Sequence, residues 1–377
     1  MGAPWSARVR DLRWGLAVAA WPWLVARGVV LGALALAHEI ALKTHPSPAT
    51  LARVHEGLLG WDAGWYASIA RVGYAGAGHS SLRFFPLVPL LAHLVSVLPG
   101  VDAGTGLLVV ANVSALLGLS LLALLVKRET GEEGLARTAV WIFAVAPAAY
   151  TYVMGYAEAT LLVFTVGTFL ALRSRRWWIA ALLGFLAGLT RPLGIVLGLP
   201  ALIEALRGLR VASRGELAGR LAAVVAPVAG TAAFLGYVAW RYGGFLTPLR
   251  IQTESRHRGG FADPISTLAH DASYLIHHRH IGSALHLPWA IVMLVLLVVA
   301  FRTWPAAYGA FAAAVLAIAA TAPNMDSFER YSLSAFPLVL AGAAMSRSRR
   351  VEVPVIVLLT AAMVGYALLA FLNITVP

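Results

Sequence analysis

Apolar residues in this chain fall in long unbroken blocks, not in the short alternating runs of half-buried strands. One block runs from Trp14 to Ala37; others lie near 105–126, 136–152, 157–172, 177–190, 192–206, 221–240, 286–302, 305–321, 331–345 and 352–373. A helix of about 20 apolar residues covers the hydrocarbon core of a bilayer. The pattern therefore predicts an all-α polytopic membrane protein with about eleven transmembrane helices. Pro192 can mark a break between two helices or a kink within one. The segment 84–98 is apolar but short, which suits a re-entrant or interfacial helix.

Composition narrows the class. The chain is 60% apolar and 12% charged, with a mean hydropathy of +0.78. Soluble domains are about 25% charged, so soluble enzymes, nucleic-acid-binding modules and secreted disulfide scaffolds are excluded. With no cysteine there is neither a thiolate nucleophile nor a Cys-ligated metal to consider. Only two of the 29 cationic residues are lysines, Lys43 and Lys127, a bias of GC-rich bacterial coding. The net charge of +12 follows from topology, because short cytoplasmic loops collect arginine. With the N-terminus inside, the clusters Arg8/Arg10/Arg13, Lys127/Arg128/Arg137, Arg173/Arg175/Arg176, Arg207/Arg210/Arg214/Arg220 and Arg347/Arg349/Arg350 all fall on the cytoplasmic side. The first block is too long for a signal-peptide core and reads as an uncleaved span.

That threading leaves two long outer segments, 38–104 and 241–285, with the eleven histidines on or near the same face. Long ordered loops are usually functional, so the chemistry is expected to face away from the cytoplasm. No internal repeat or soluble domain is visible, and residues 1–377 read as a single integral membrane domain.

The stretch from Trp61 to Tyr74 carries Trp65, Tyr66, Ile69, Ala70 and Gly73 at helical spacing. It reads as a short amphipathic helix on the outer surface, with Asp62 at its start. Asp62 can cap the helix or serve as a general base at the membrane surface, and the two roles are compatible. Arg27 lies within the first span, where an ion pair inside the bundle is expected. Glu158 begins an apolar helix and is expected to pair with an arginine. The cluster His277-His278-x-His280 fits no common zinc spacing and reads as a solvated loop. No metal or cofactor is expected, and no Gly-rich phosphate loop or Asp-x-Asp pair points to a nucleotide-sugar donor.

Trp-Asp-x3-Tyr-x2-Ile-Ala-x2-Gly-Tyr from Trp61, followed by Phe84-Phe85-Pro86-Leu87-x-Pro89, resembles the PIG-V-type GPI mannosyltransferases of the GT-C superfamily. Tyr156-Ala157-Glu158, Thr190-Arg191-Pro192-x-Gly194, Gln252 with Gly260 and Pro264, and Arg330-Tyr331-x4-Phe336-Pro337-Leu338 follow in the family's order. Gly60 and Trp65 depart from the family's usual arginine and polar residue. The resemblance implies a GT-C architecture and transfer of mannose from a polyprenyl-phosphate carrier to a lipid-linked glycan on the extracytoplasmic side, through an α-1,6 linkage. It places the acidic residue that the first outer loop brings to the reaction centre on Asp62.

The chemistry is simple in outline. A sugar on a lipid phosphate already has a good leaving group, so the site needs one carboxylate to take the acceptor's proton and cations to hold the departing phosphate. Direct displacement turns a β-linked mannosyl phosphate into an α-mannoside. Arg330, Arg191, Arg256, Arg258, His257 and Arg250 are the candidates for the phosphate, arginine being suited to bidentate contacts; snorkelling to lipid headgroups is the alternative for each. Trp61, Trp65, Tyr66, Glu158, Gln252 and Tyr331 are the candidates for contacting the substrates. A transporter or flippase, or a GT-C transferase of another sugar, are the competing functions; transporters favour mid-membrane polar residues and paired halves, and neither is visible here.

Overall fold

The structure is a computed structural model that describes residues 5–254, 257–267, 269, 273, 281–323 and 327–377. It is 82% helical, with no strand among the described residues. The helices run α1 (Trp5–Thr44), α2 (Pro48–Glu56), α3 (Asp62–Ala77), α4 (Leu87–Ser96), α5 (Ala103–Thr130), α6 (Glu133–Ala144), α7 (Glu158–Arg173) and α8 (Trp177–Thr190). They continue as α9 (Gly198–Leu206), α10 (Arg214–Tyr242), α11 (Thr247–Gln252), α12 (Ile281–Thr303), α13 (Ala306–Ala319), α14 (Phe328–Ser334), α15 (Phe336–Met345) and α16 (Arg349–Phe371). Every apolar block of the sequence falls on helix. Among the described residues five helices, Val9–Thr44, Ala103–Thr130, Arg214–Tyr242, His286–Thr303 and Arg349–Phe371, are long and apolar enough to cross a membrane.

Three differences from the sequence pattern have physical reasons. Helix α1 runs through to Thr44, because Glu39, Ala41, Leu42 and Lys43 are helix formers even where the apolar block has ended. Pro192 marks a break: α8 stops at Thr190, Arg191 is fully extended (φ −157°, ψ 154°), and Pro192–Leu197 turns as a short 3-10 helix before α9. A residue before proline is driven out of the helical region, and here it is Arg191. The block 331–345 is likewise two helices, α14 and α15, parted at Ala335.

The expectation for Arg27 needs correction. Its Nε donates to Asn112 Oδ1 (2.9 Å), its Nη1 and Nη2 donate to the carbonyls of Trp23 (3.2 Å) and Tyr152 (3.1 Å), and it lies over the Trp23 ring. No carboxylate faces it among the described residues. Neutral acceptors on three elements satisfy the fork, so Arg27 ties α1 to α5 without a counter-charge.

Lipid tails are as apolar as leucine, so close packing holds such a bundle together. Phe169 of α7 shows how: its ring meets Tyr308, Phe311 and Phe336 at centroid distances of 4.8, 5.4 and 5.0 Å. Helices α8 and α10 cross where glycine permits it. A Cβ on Gly184 would lie 2.9 Å from Pro227 Cγ, and one on Gly188 would collide with the Pro227 carbonyl. The pairs Trp177 with Gly219, Gly184 with Pro227 and Gly188 with Thr231 keep a nearly constant offset, so α8 and α10 run parallel.

Candidate active site

Asp62 is the first residue of α3, and the chain is bent sharply to place it there. Trp61 has φ 59° and ψ −127°, a conformation that costs a bulky side chain about 1–3 kcal/mol. Trp61 is pinned in compensation: its Nε1 donates to the Ala370 carbonyl of α16 (3.1 Å) and the Arg53 guanidinium lies 4.0 Å from its ring centroid. The Asp62 N–H donates to the hydroxyl of Tyr156 (3.4 Å). The helix that follows is broken at Gly73 (φ 69°), the last of the helically spaced positions.

The Asp62 carboxylate does not cap α3. Its Oδ2 accepts from Nη1 of Arg330 at 2.7 Å, a contact across 268 positions of sequence. Arg330 is 7% exposed, whereas the Asp62 side chain keeps 28% of its surface open. Burial pushes the Asp62 carboxyl up, but the guanidiniums of Arg330 and Arg83, with Arg191 further off, outweigh it and hold the group below the ordinary carboxylate value. Asp62 is therefore ionised at neutral pH.

Behind Arg330 the charges continue inward. Its Nε lies 3.4 Å from Glu158 Oε1, and the same oxygen accepts from Arg191. Glu158 is 1% exposed and starts α7, as the sequence suggested, paired with arginine. The extended backbone at Arg191, forced by Pro192, delivers that cation to the cluster. Arg330 Nη2 donates to Ser327 Oγ (3.2 Å), and Ser327, like Trp61, has left-handed backbone (φ 64°). Both partners of the Asp62–Arg330 pair thus follow a non-glycine residue in a costly conformation.

Tyr331 gathers the cations. The guanidiniums of Arg191, Arg258 and Arg330 lie 5.0, 5.1 and 5.5 Å from its ring centroid. Arg258 also donates to the carbonyls of Ile318 and Ala319 at the C-terminal end of α13, the first shared with Thr321. Three cations around one ring, against the part-exposed carboxylate of Asp62 and the buried one of Glu158, leave the cluster net positive and fit to receive an anion.

Beside Asp62 a cleft of about 440 Å³ opens, lined by Trp61, Trp65, Ser68, Arg53, Glu56 and Arg83. Trp65 stacks on Phe84 at 6.0 Å, with Arg83 over both rings. Arg83 has no ion pair among the described residues, while Arg53 is held by Glu56 (2.5 Å).

Of the expected site residues, Asp62, Arg330, Arg191, Arg258, Glu158 and Tyr331 come together, and Trp61 and Trp65 wall the cleft. Tyr66 is buried with its ring edge-on to Phe84 (5.0 Å). Arg250 is exposed on α11; the Gln252 carbonyl accepts the Arg258 N–H (3.1 Å), and His257 Nε2 lies 3.9 Å from Glu254. Arg256 and the cluster His277-His278-x-His280 lie outside the described residues. Arg83, Arg53, Tyr156 and Ser327 were not singled out as site residues. Arg83 directly precedes the Phe84-Phe85-Pro86 motif, which is a usable signal; Arg53 and Ser327 carry none in the sequence.

The bundle, with short helices between its first two long spans, shares its fold with a solved polytopic protein. The solved structure that shows this is ArnT from Cupriavidus metallidurans bound to undecaprenyl phosphate: TM-score 0.52 and 18% identity over 78% of this chain. The chain spans 57% of that protein's length. The Archaeoglobus fulgidus oligosaccharyltransferase aligns more loosely, at TM-score 0.37 and 12% identity over 92% of this chain and 55% of its own for the apo form. Its complex with zinc and sulfate aligns at TM-score 0.33 and 14% identity over 77% and 44%. No protein-family model and no curated protein matches the sequence.

Proposed function

We propose that the protein is an inverting glycosyltransferase of the PIG-V type, moving mannose from a polyprenyl-phosphate carrier to a lipid-linked glycan on the extracytoplasmic side, through an α-1,6 linkage. The observation that carries this reading is the part-exposed Asp62 carboxylate, set between a cleft and a net-positive cluster of three arginines. ArnT of the same fold was solved with a polyprenyl phosphate, which supports a donor of that class. Mannose and the linkage rest on the motif resemblance.

In the proposed reaction the acceptor hydroxyl lies in the cleft against Asp62, with its sugar face on Trp61 or Trp65. Its oxygen attacks the anomeric carbon as Asp62 takes the proton. The bond from that carbon to the phosphate oxygen breaks, and the electron pair leaves on the phosphate. Arg191, Arg258 and Arg330 stabilise the charge growing there. A carboxylate held at low pKa is a weak base. The incoming phosphate offsets this by drawing Arg330 away from Asp62, so that donor binding itself raises the basicity of the acceptor's partner.

The test is transfer of labelled mannose from polyprenyl-phosphate-mannose to a membrane lipid extract by the purified protein, beside Asp62→Asn. The expected result is transfer by the wild type and loss in the folded variant. No transfer by the wild type, or undiminished transfer by the variant, refutes the assignment.

A further inference from the structure

A second cleft, of about 690 Å³, lies at the opposite end of α8 from Arg191. It is lined by Arg175, Arg176, Trp177, Trp178, Gly215 and Gly219, where α8 and α10 both begin. Because these two helices are parallel, both N-termini point their positive dipole ends into the same space. Helix α8 has no side-chain cap, so the N–H groups of its first turn are left without a partner from a capping side chain. Trp177 is 6% exposed, and the Glu216 carboxylate neighbours its indole as an acceptor.

The charges around the cleft do not cancel. Glu216 also lines it, but its Oε1 is taken by Arg220, which donates from Nε (3.1 Å) and Nη2 (2.7 Å). Arg220 is itself buried and spends Nη1 on the carbonyls of Ala205 and Arg207. Arg175 and Arg176 are exposed and have no ion pair among the described residues. Arg175 sits at φ 53°, a backbone conformation unusual for arginine, in the turn between α7 and α8. Below the cleft the outer faces of the two helices are apolar and exposed: Trp178, Ile179 and Leu182 on α8, Leu217, Leu221 and Val225 on α10.

We propose that this cleft binds the phosphate of an anionic phospholipid, with the acyl chains lying along the α8–α10 seam. Two unpaired arginines and the uncapped N-terminus of α8 supply donors and positive charge, while the N-terminus of α10 is already capped by Ser213, and the apolar seam continues from the headgroup position in the direction of the bilayer. A free phosphate would use the same donors but not the seam. The site is separate from the Asp62 cluster and does not depend on the transferase reading.

The experiment is native mass spectrometry of the detergent-solubilised full chain, titrated with phosphatidylglycerol and with phosphatidylcholine. Phosphatidylglycerol adducts are expected to exceed phosphatidylcholine adducts by roughly tenfold or more. In the double variant Arg175→Gln/Arg176→Gln the preference falls to near parity. It persists in Arg349→Gln/Arg350→Gln, which removes two exposed arginines elsewhere, and in Asp62→Asn. Millimolar inorganic phosphate leaves the lipid adducts in place. Equal retention of the two lipids by the wild type, or the same loss in the Arg349/Arg350 variant, overturns the site. Displacement of the lipid by phosphate overturns the phospholipid as its occupant.

Discussion

Helix α7 carries charge at both ends, and the two ends are built differently. At its last residue, Arg173 donates to Glu129 (2.8 Å) and approaches Glu204 (3.5 Å), which also receives Arg207 (2.8 Å). Nearby Arg220 is satisfied on every nitrogen by Glu216 and two carbonyls. At its first residue, Glu158 meets Arg191 and Arg330, yet Glu158 Oε2 and Arg330 Nε are both buried without a hydrogen-bond partner. A saturated network holds helices together and has nothing to offer a ligand. An unsaturated one carries the desolvation cost of each idle group, about 1–3 kcal/mol, and keeps hydrogen-bonding capacity for something that arrives. The difference separates a clamp from the candidate site on one helix.

The largest expected effect comes from the candidate-site end. Asp62→Asn keeps the shape and removes the proposed base, and should lower transfer by about 10²–10⁴-fold, with a smaller loss of stability than Arg330→Gln because buried Arg330 keeps Glu158 at 3.4 Å. Arg330→Gln strikes both partners: Asp62 loses its 2.7 Å donor, and Glu158 keeps Arg191 alone of its two cations. Breaking a buried pair in this way costs about 3–5 kcal/mol, to be read from detergent-resistant thermal unfolding.

The pH dependence sharpens the same point. The folded pKa of Asp62 is depressed, so the Asp62–Arg330 pair contributes fully above the unfolded value of about 3.9 and fades as pH falls through the lower folded one. In the wild type kcat/KM should show no acid limb from this group near neutrality. In Arg330→Gln, burial remains while the main opposing charge is gone, and the limb should move up in pH. A limb that stays put would show that Arg330 does not control Asp62.

At the clamp end, Arg173→Gln should cost about 1–3 kcal/mol of stability while transfer per folded molecule is unchanged; a fall in specific activity would erase the contrast between the two ends. Smallest is Ser327→Gly. Relief of the left-handed serine offsets the loss of its bond to Arg330, but its bond to the Pro377 carbonyl goes too, so stability should fall by about 1 kcal/mol.

Much of this layout was legible in the sequence, though unevenly. The apolar blocks located the helices because bilayer-length hydrophobicity is a local property. Asp62, Glu158, Arg191 and Arg330 could be singled out one at a time, each from its own short motif. Their mutual pairing could not be read, since the Asp62–Arg330 contact spans 268 positions and no periodicity encodes it. Arg27 misled because a cation in an apolar run suggests a carboxylate, and nothing in the chain advertises Asn112 and two carbonyls as substitutes. Arg53 escaped notice because its importance comes from lying over Trp61, a relation set by a strained turn. Pro192 was legible only as a disturbance; the structure makes it the reason that Arg191 reaches Glu158.

The lengths of α7 and α8 have a mechanical consequence for the surrounding lipid. At 16 and 14 residues they measure about 24 and 21 Å, short of a hydrocarbon slab about 30 Å thick. Each has charge at both tips, Glu158 and Arg173 on one, Arg176 and Arg191 on the other. On the proposed function these two helices stand in a locally thinned bilayer, with Glu158 sheltered by its arginines. A carrier lipid reaching Arg191 would then sink its phosphate beneath the level of neighbouring headgroups, and thickening the host bilayer should slow transfer more than it changes anything at the clamp end.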